Sequence, residues 1–180
     1  MRPKFLSSGT LAGGAVLFLW SFVWHGVLPF SDSGMHEFTG NQAIVDTVRA
    51  NAPTNGIYIS PQGIFASVFF SPSLSDQMQV TRENMAVEFL IDCVVAFLLC
   101  LLLVRTRERS TAARAGFLGV AALAAGVNER VSEWNWYGFP PSFVLAAMVE
   151  TLVGWVLAGI VLSIILKRMA PSTRGDCPRG

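Results

Sequence analysis

Apolar residues along this chain gather into four long runs, at about 10–29, 84–104, 112–130 and 141–166, separated by polar segments. Each run approaches the ~20 residues that an α-helix needs to cross ~30 Å of hydrocarbon. The pattern predicts an all-α membrane protein with four transmembrane helices, built as a single membrane domain over residues 1–180. Between the first two runs, residues 30–83 form one sizeable extramembrane segment. There Ile44, Val45 and Val48 fall on one face of a predicted helix from Asn41 to Asn51. Pro53, Asn55 and Gly56 follow with turn chemistry. The β-prone runs Ile57–Ser60 and Ile64–Phe70, on either side of Pro61, Gln62 and Gly63, then predict a hairpin. So small a helix-plus-hairpin unit buries too little surface to fold alone. It is expected to cap the outer ends of the helices.

Charge sets the expected orientation. Of the thirteen Lys and Arg residues, ten lie on one side of the predicted spans. Arg2 and Lys4 precede the first, Arg105, Arg107, Arg109 and Arg114 crowd the link between the second and third, and Lys167, Arg168, Arg174 and Arg179 follow the fourth. Positive charge is retained in the cytoplasm, so both termini are expected inside and the 30–83 loop outside. Arg2 and Lys4 before an apolar run also fit the start of a signal peptide. The run from Leu11 to Phe30 is longer than such a core, however, and no small-x-small site follows it, so an uncleaved first helix is expected. The polar residues 169–180 read as a disordered cytoplasmic tail.

Composition narrows the class further. Hydrophobic residues make up 52% of the chain and charged residues 14%, with a net charge of +1, which leaves no basic face to track nucleic acid phosphates. The expected partner is the lipid bilayer, with other membrane subunits as candidates. Small residues at four-residue spacing mark close helix approach: Gly9 with Gly13 in the first span, and Ala112/Gly116, Ala115/Gly119 and Ala122/Gly126 in the third. Trp134, Trp136, Tyr137 and Phe139 form an interfacial aromatic belt before the helix start at Pro140 and Pro141. Cys93 and Cys100 lie roughly 10 Å apart along their helix, too far for a disulfide. No CxxC pair is present for thiol redox work.

The candidate chemistry lies in ionisable groups inside the spans, which are costly there and need a partner or a purpose. They are His25 in the first span, Glu88 and Asp92 in the second, Glu129 and Arg130 at the exit of the third, and Glu150 in the fourth. At 1.5 Å rise per residue, His25, Glu88, Asp92 and Glu150 lie roughly 6–13 Å inside the outer ends of their helices, so that with Glu129 and Arg130 all four helices contribute polar groups to one layer of the outer half. Glu88 and Asp92, at i and i+4, share a helical face. Three readings of the layer stay open: structural neutralisation, a site for a cation, proton or small polar ligand entering from outside, and a catalytic metal or acid/base centre. Two histidines among many acids make a sparse ligand set for zinc or di-iron. No cofactor is named by any motif.

The segment from Ser8, Gly9 and Thr10 to Leu28, Pro29 and Phe30 resembles a family of small bacterial membrane proteins with four helices and one exterior loop. So do Phe38 to Val45, Asn51 to Pro53 and Gly56 to Tyr58. The likeness covers the first half, through about Phe70. Where that family often carries a His after its Leu-Pro-aromatic step, this chain has Ser31 after Phe30. The resemblance implies the topology and a bacterial inner-membrane location, and no activity. Short length, close-packing surface and the lack of a catalytic motif lead to an expected non-enzymatic accessory or structural subunit of a membrane complex. Ion, proton or small-ligand handling by the polar layer is the alternative, and a membrane enzyme acting on a lipid or quinone the third reading.

Overall fold

A computed structural model describes residues 3–30, 33–36, 38–68, 81–108 and 110–169. The expected disordered tail, apart from Met169, and the end of the second β-prone run lie outside the described residues. The order of elements is α1 (Pro3–Gly26), α2 (Asn41–Asn51), β1 (Gly56–Ser60), β2 (Ile64–Val68), α3 (Arg82–Arg105), α4 (Thr111–Gly126), a π-helical turn (Val127–Val131), α5 (Ser132–Tyr137) and α6 (Pro141–Arg168). Helix dominates, and three of these helices, α1, α3 and α6, are long and apolar enough to cross a membrane.

Helix starts follow local chemistry. Thr81 caps α3 by accepting from the Asn84 N–H at 3.1 Å, and Ser110 caps α4 by accepting from the Ala113 N–H at 3.0 Å. Pro141 opens α6 at a position whose N–H would have no helical partner. α4 has only 16 residues, about 24 Å of rise, which is less than the third predicted span requires. Gly126, Val127, Val131 and Ser132 nonetheless all keep right-handed helical dihedrals. One helical path therefore runs from Thr111 to Tyr137, widened by the π turn after Gly126.

The hairpin pairs Gly56 with Val68 through Ser60 with Ile64, antiparallel. Its three-residue loop closes when the Gly63 N–H donates to the Ser60 carbonyl at 3.0 Å. Pro61 fits the first central position of that turn, and Gly63 takes a φ of 88° that costs other residues strain. The Phe65 ring of β2 stacks on Tyr137 of α5, with centroids 4.8 Å apart.

The long helices form an antiparallel row in the order α3, α1, α6, α4, with α3 touching α6 only slightly. Glycines set the spacing on α1. A Cβ added at Gly13 would come within 2.9 Å of the Ala96 Cβ, and one at Gly14 within 3.0 Å of the Cys93 Cα. On the other flank, Gly159 of α6 faces the Ala115 Cα at 3.1 Å, and Gly126 of α4 faces Met148. The Lys167 ammonium donates to Thr111 Oγ1 at 2.8 Å and ties the last turn of α6 to the first of α4.

Packing is concentrated at one end. Phe5 of α1, Leu99 and Leu103 of α3, Leu118 of α4 and Leu162 of α6 are fully buried together. The core therefore occupies the half holding the N-terminus of α1 and the C-termini of α3 and α6. Around the row, Leu11, Leu19, Leu98, Val120, Leu145 and Ile160 point outward, the surface expected of helices solvated by lipid.

Gly14→Ala is expected to destabilise the protein by about 1–3 kcal/mol, because the obstacle is backbone and cannot rotate away. Nothing lies within 4 Å of a Cβ at Gly116, so Gly116→Ala should leave thermal unfolding in lipid nanodiscs unchanged. Equal shifts for the two variants would contradict this packing.

Candidate functional site

At the end of the row away from the core, all four long helical segments contribute to a groove of about 480 Å³. His25, Glu88, Asp92, Glu129, Arg130 and Glu150 all lie on its wall. α1 brings His25, α3 brings Glu88 and Asp92, the π turn brings Glu129 and Arg130, and α6 brings Glu150. Glu129 and Arg130 lie within the π turn itself, the kind of helical irregularity found at working sites.

The six groups fall into three sets. The first is centred on Glu150. His25 Nε2 lies 3.1 Å from Glu150 Oε1, and the Ser21 hydroxyl donates to the same oxygen at 3.4 Å. The Trp20 indole N–H donates to the Glu150 carbonyl oxygen at 2.9 Å. Three side chains of α1 thus converge on one residue of α6, and Gly154 makes room, with the Trp20 Cδ1 only 3.0 Å from where its Cβ would be. The His25 side chain is 58% exposed and that of Glu150 21%, so the pair spans the groove from mouth to wall.

The second set is local to the π turn and α5. Arg130 Nη1 donates to both carboxylate oxygens of Glu133, at 3.0 and 3.2 Å, and Nη2 lies 3.8 Å from Glu129 Oε1. Such a paired guanidinium is largely neutralised before it faces the groove. The third set is Glu88 with Asp92. Neither carboxylate has a hydrogen-bond or ion-pair partner among the described residues, and Asp92 Oδ2 is buried. Buried polar atoms are rarely left unpaired in native structures.

The rest of the wall is mixed. Trp20 and Trp155 supply aromatic surface, Leu17, Ile91 and Val95 aliphatic surface, and Thr151 a hydroxyl that donates to the Ala147 carbonyl at 3.0 Å. Leu17, Ser21 and Thr151 were not among the site residues expected from the sequence. The helical period holds the missing signal. Leu17, Ser21 and His25 recur at four-residue spacing, and Glu88, Asp92 and Val95 at four and three, so each ionisable group marks a face whose other members line the same groove. No three His, Cys, Asp or Glu side chains among the described residues lie close enough to hold a metal ion.

Compared with known proteins, the chain matches no family model, no curated relative and no solved structure, so the groove is interpreted from its own geometry.

The bonds to Glu150 should couple α1 to α6. In a double-mutant cycle, His25→Ala and Glu150→Gln are expected to show a coupling of roughly 1 kcal/mol in thermal unfolding, typical of interhelical hydrogen bonds in membranes. Single losses that add within ~0.3 kcal/mol would mean that the contact does not hold the helices together.

Proposed function

We propose that this chain is a four-span membrane protein that binds a small ligand or ion in the groove between its helices. The observation that carries the reading is the unpartnered pair Glu88 and Asp92, on a wall whose other ionisable groups already have partners. Holding two like charges beside low-dielectric walls is unfavourable, and a bound cation offsets it. In this reading the path from Thr111 to Tyr137 supplies the third span. The groove lies in the outer half of a bacterial inner membrane, both termini are cytoplasmic, and α2 with its hairpin faces outward. Ligands then enter from outside.

An accessory subunit of a larger complex is the second reading. Its main support in the sequence was the small-residue face of α4, but Ala115, Gly119 and Ala122 are buried, and Gly119 and Gly126 face α6 side chains of the same chain. What still favours the reading is Gly116, whose surroundings are open, beside exposed Ala112. A membrane enzyme draws support from none of the described contacts.

Glu88→Gln and Asp92→Asn are expected to abolish ligand handling while the protein accumulates at the wild-type level. Failure of both variants to accumulate would mean that the polar layer is structural. Topology has its own check. In a cysteine-free background, Gln62→Cys should react with an impermeant maleimide on intact cells, and Glu108→Cys only after permeabilisation. The reverse pattern would overturn the orientation.

A further inference from the structure

The groove has more to it than a pair of carboxylates, and its size, charge and apolar wall together restrict what fits. At about 480 Å³ it falls in the range of small-molecule sites and far exceeds a bare ion. The ionisable groups on its wall are four carboxylates, those of Glu88, Asp92, Glu129 and Glu150, with one guanidinium and one imidazole. Arg130 is held by Glu133 and Glu129, and His25 by Glu150. The carboxylates these pairings leave without a partner, Glu88 and Asp92, lie on α3. The same wall carries the two indoles of Trp20 and Trp155, from α1 and α6.

We propose that the ligand is an organic cation: an ammonium head bound by Glu88 and Asp92, carrying an apolar body that lies against Trp20 and Trp155. This rests on the groove being a ligand site and names its substrate class. An ammonium group supplies several N–H donors and so can serve two carboxylates one helical turn apart, including the buried Asp92 Oδ2. A metal ion would require converging donors, and no cluster of three is present among the described residues. An organic anion of the same shape would face Glu88 and Asp92 uncompensated. Indole surface is suited to a cation and its alkyl or aryl substituents, through cation–π attraction as well as burial. Trp20 is fixed by its bond to the Glu150 carbonyl oxygen, so that part of the wall is formed in advance.

The test uses the full chain in lipid nanodiscs, with empty nanodiscs as reference, and three probes of one shape: benzylammonium, benzyl alcohol and benzoate. Titration calorimetry should show saturable binding of benzylammonium at least about tenfold tighter than of the other two, since unpaired charge and lost hydrogen bonds penalise both. Glu88→Gln, on an exposed position, should weaken benzylammonium by a similar factor with unchanged thermal unfolding. Asp92→Asn should do the same, and Glu88→Gln keeps the test decisive if Asp92→Asn does not fold. Benzyl alcohol or benzoate binding within about twofold of benzylammonium would overturn the cation class while leaving the groove as a ligand site. Saturable binding of Na⁺ or Mg²⁺, lost in Glu88→Gln and unaccompanied by benzylammonium binding, would likewise replace the organic ligand by an ion. Saturation by none of these probes would overturn this proposal and count against the groove reading itself.

Discussion

Water drives helices together in solution, but inside hydrocarbon that force is absent, and close backbone approach has to replace it. In this chain the approach is made by glycine. Gly13 and Gly14 bring α1 against Ala96 and Cys93 of α3, Gly154 admits Trp20 of α1 onto α6, and Gly159 brings α6 against Ala115 of α4. The order of the row follows from these contacts, because α1 and α6 carry small residues for neighbours on both flanks. α3 and α4 are left at its edges. A groove bounded by α3 on one side and the π turn after α4 on the other is a consequence of that order.

The two ends of the row are built differently. One end is filled by Phe5, Leu99, Leu103, Leu118 and Leu162, apolar and closed. At the other, Trp20, Ser21 and His25 hold α1 to α6 through a single residue, Glu150. Polar bonds thus join α1 to α6 at the end away from that core. Glu150 is accordingly a positioning residue for the groove. Glu88 and Asp92, on α3, are the groups with capacity for something else.

Much of this was legible in the chain. The helix from Asn41 to Asn51 and the hairpin around Pro61 and Gly63 follow from local turn chemistry, which does not depend on distant packing. The ionisable residues His25, Glu88, Asp92 and Glu150 stood out because a charged group in an apolar run is rarely accidental. The π turn was not legible. Val127 to Val131 carries no glycine or proline that would mark a break in the helix. Nor was the whole sorting of the charges legible. The Arg130–Glu133 pair follows from its i,i+3 spacing, but that His25 turns to Glu150 and not to Asp92 is a matter of helix rotation, which spacing alone leaves free. Trp20, Ser21 and Thr151 are ordinary residues in an apolar helix, and only their sharing of a face with ionisable groups could have marked them.

The central claim is that the groove exists to hold a small molecule. The most direct measurement is native mass spectrometry of the protein released gently from its own host membrane. The account predicts a chain carrying a small-molecule adduct of defined mass, absent when Glu88 and Asp92 are replaced by Gln and Asn. A stoichiometric complex with other membrane subunits and no small-molecule adduct would contradict it and establish the accessory reading in its place.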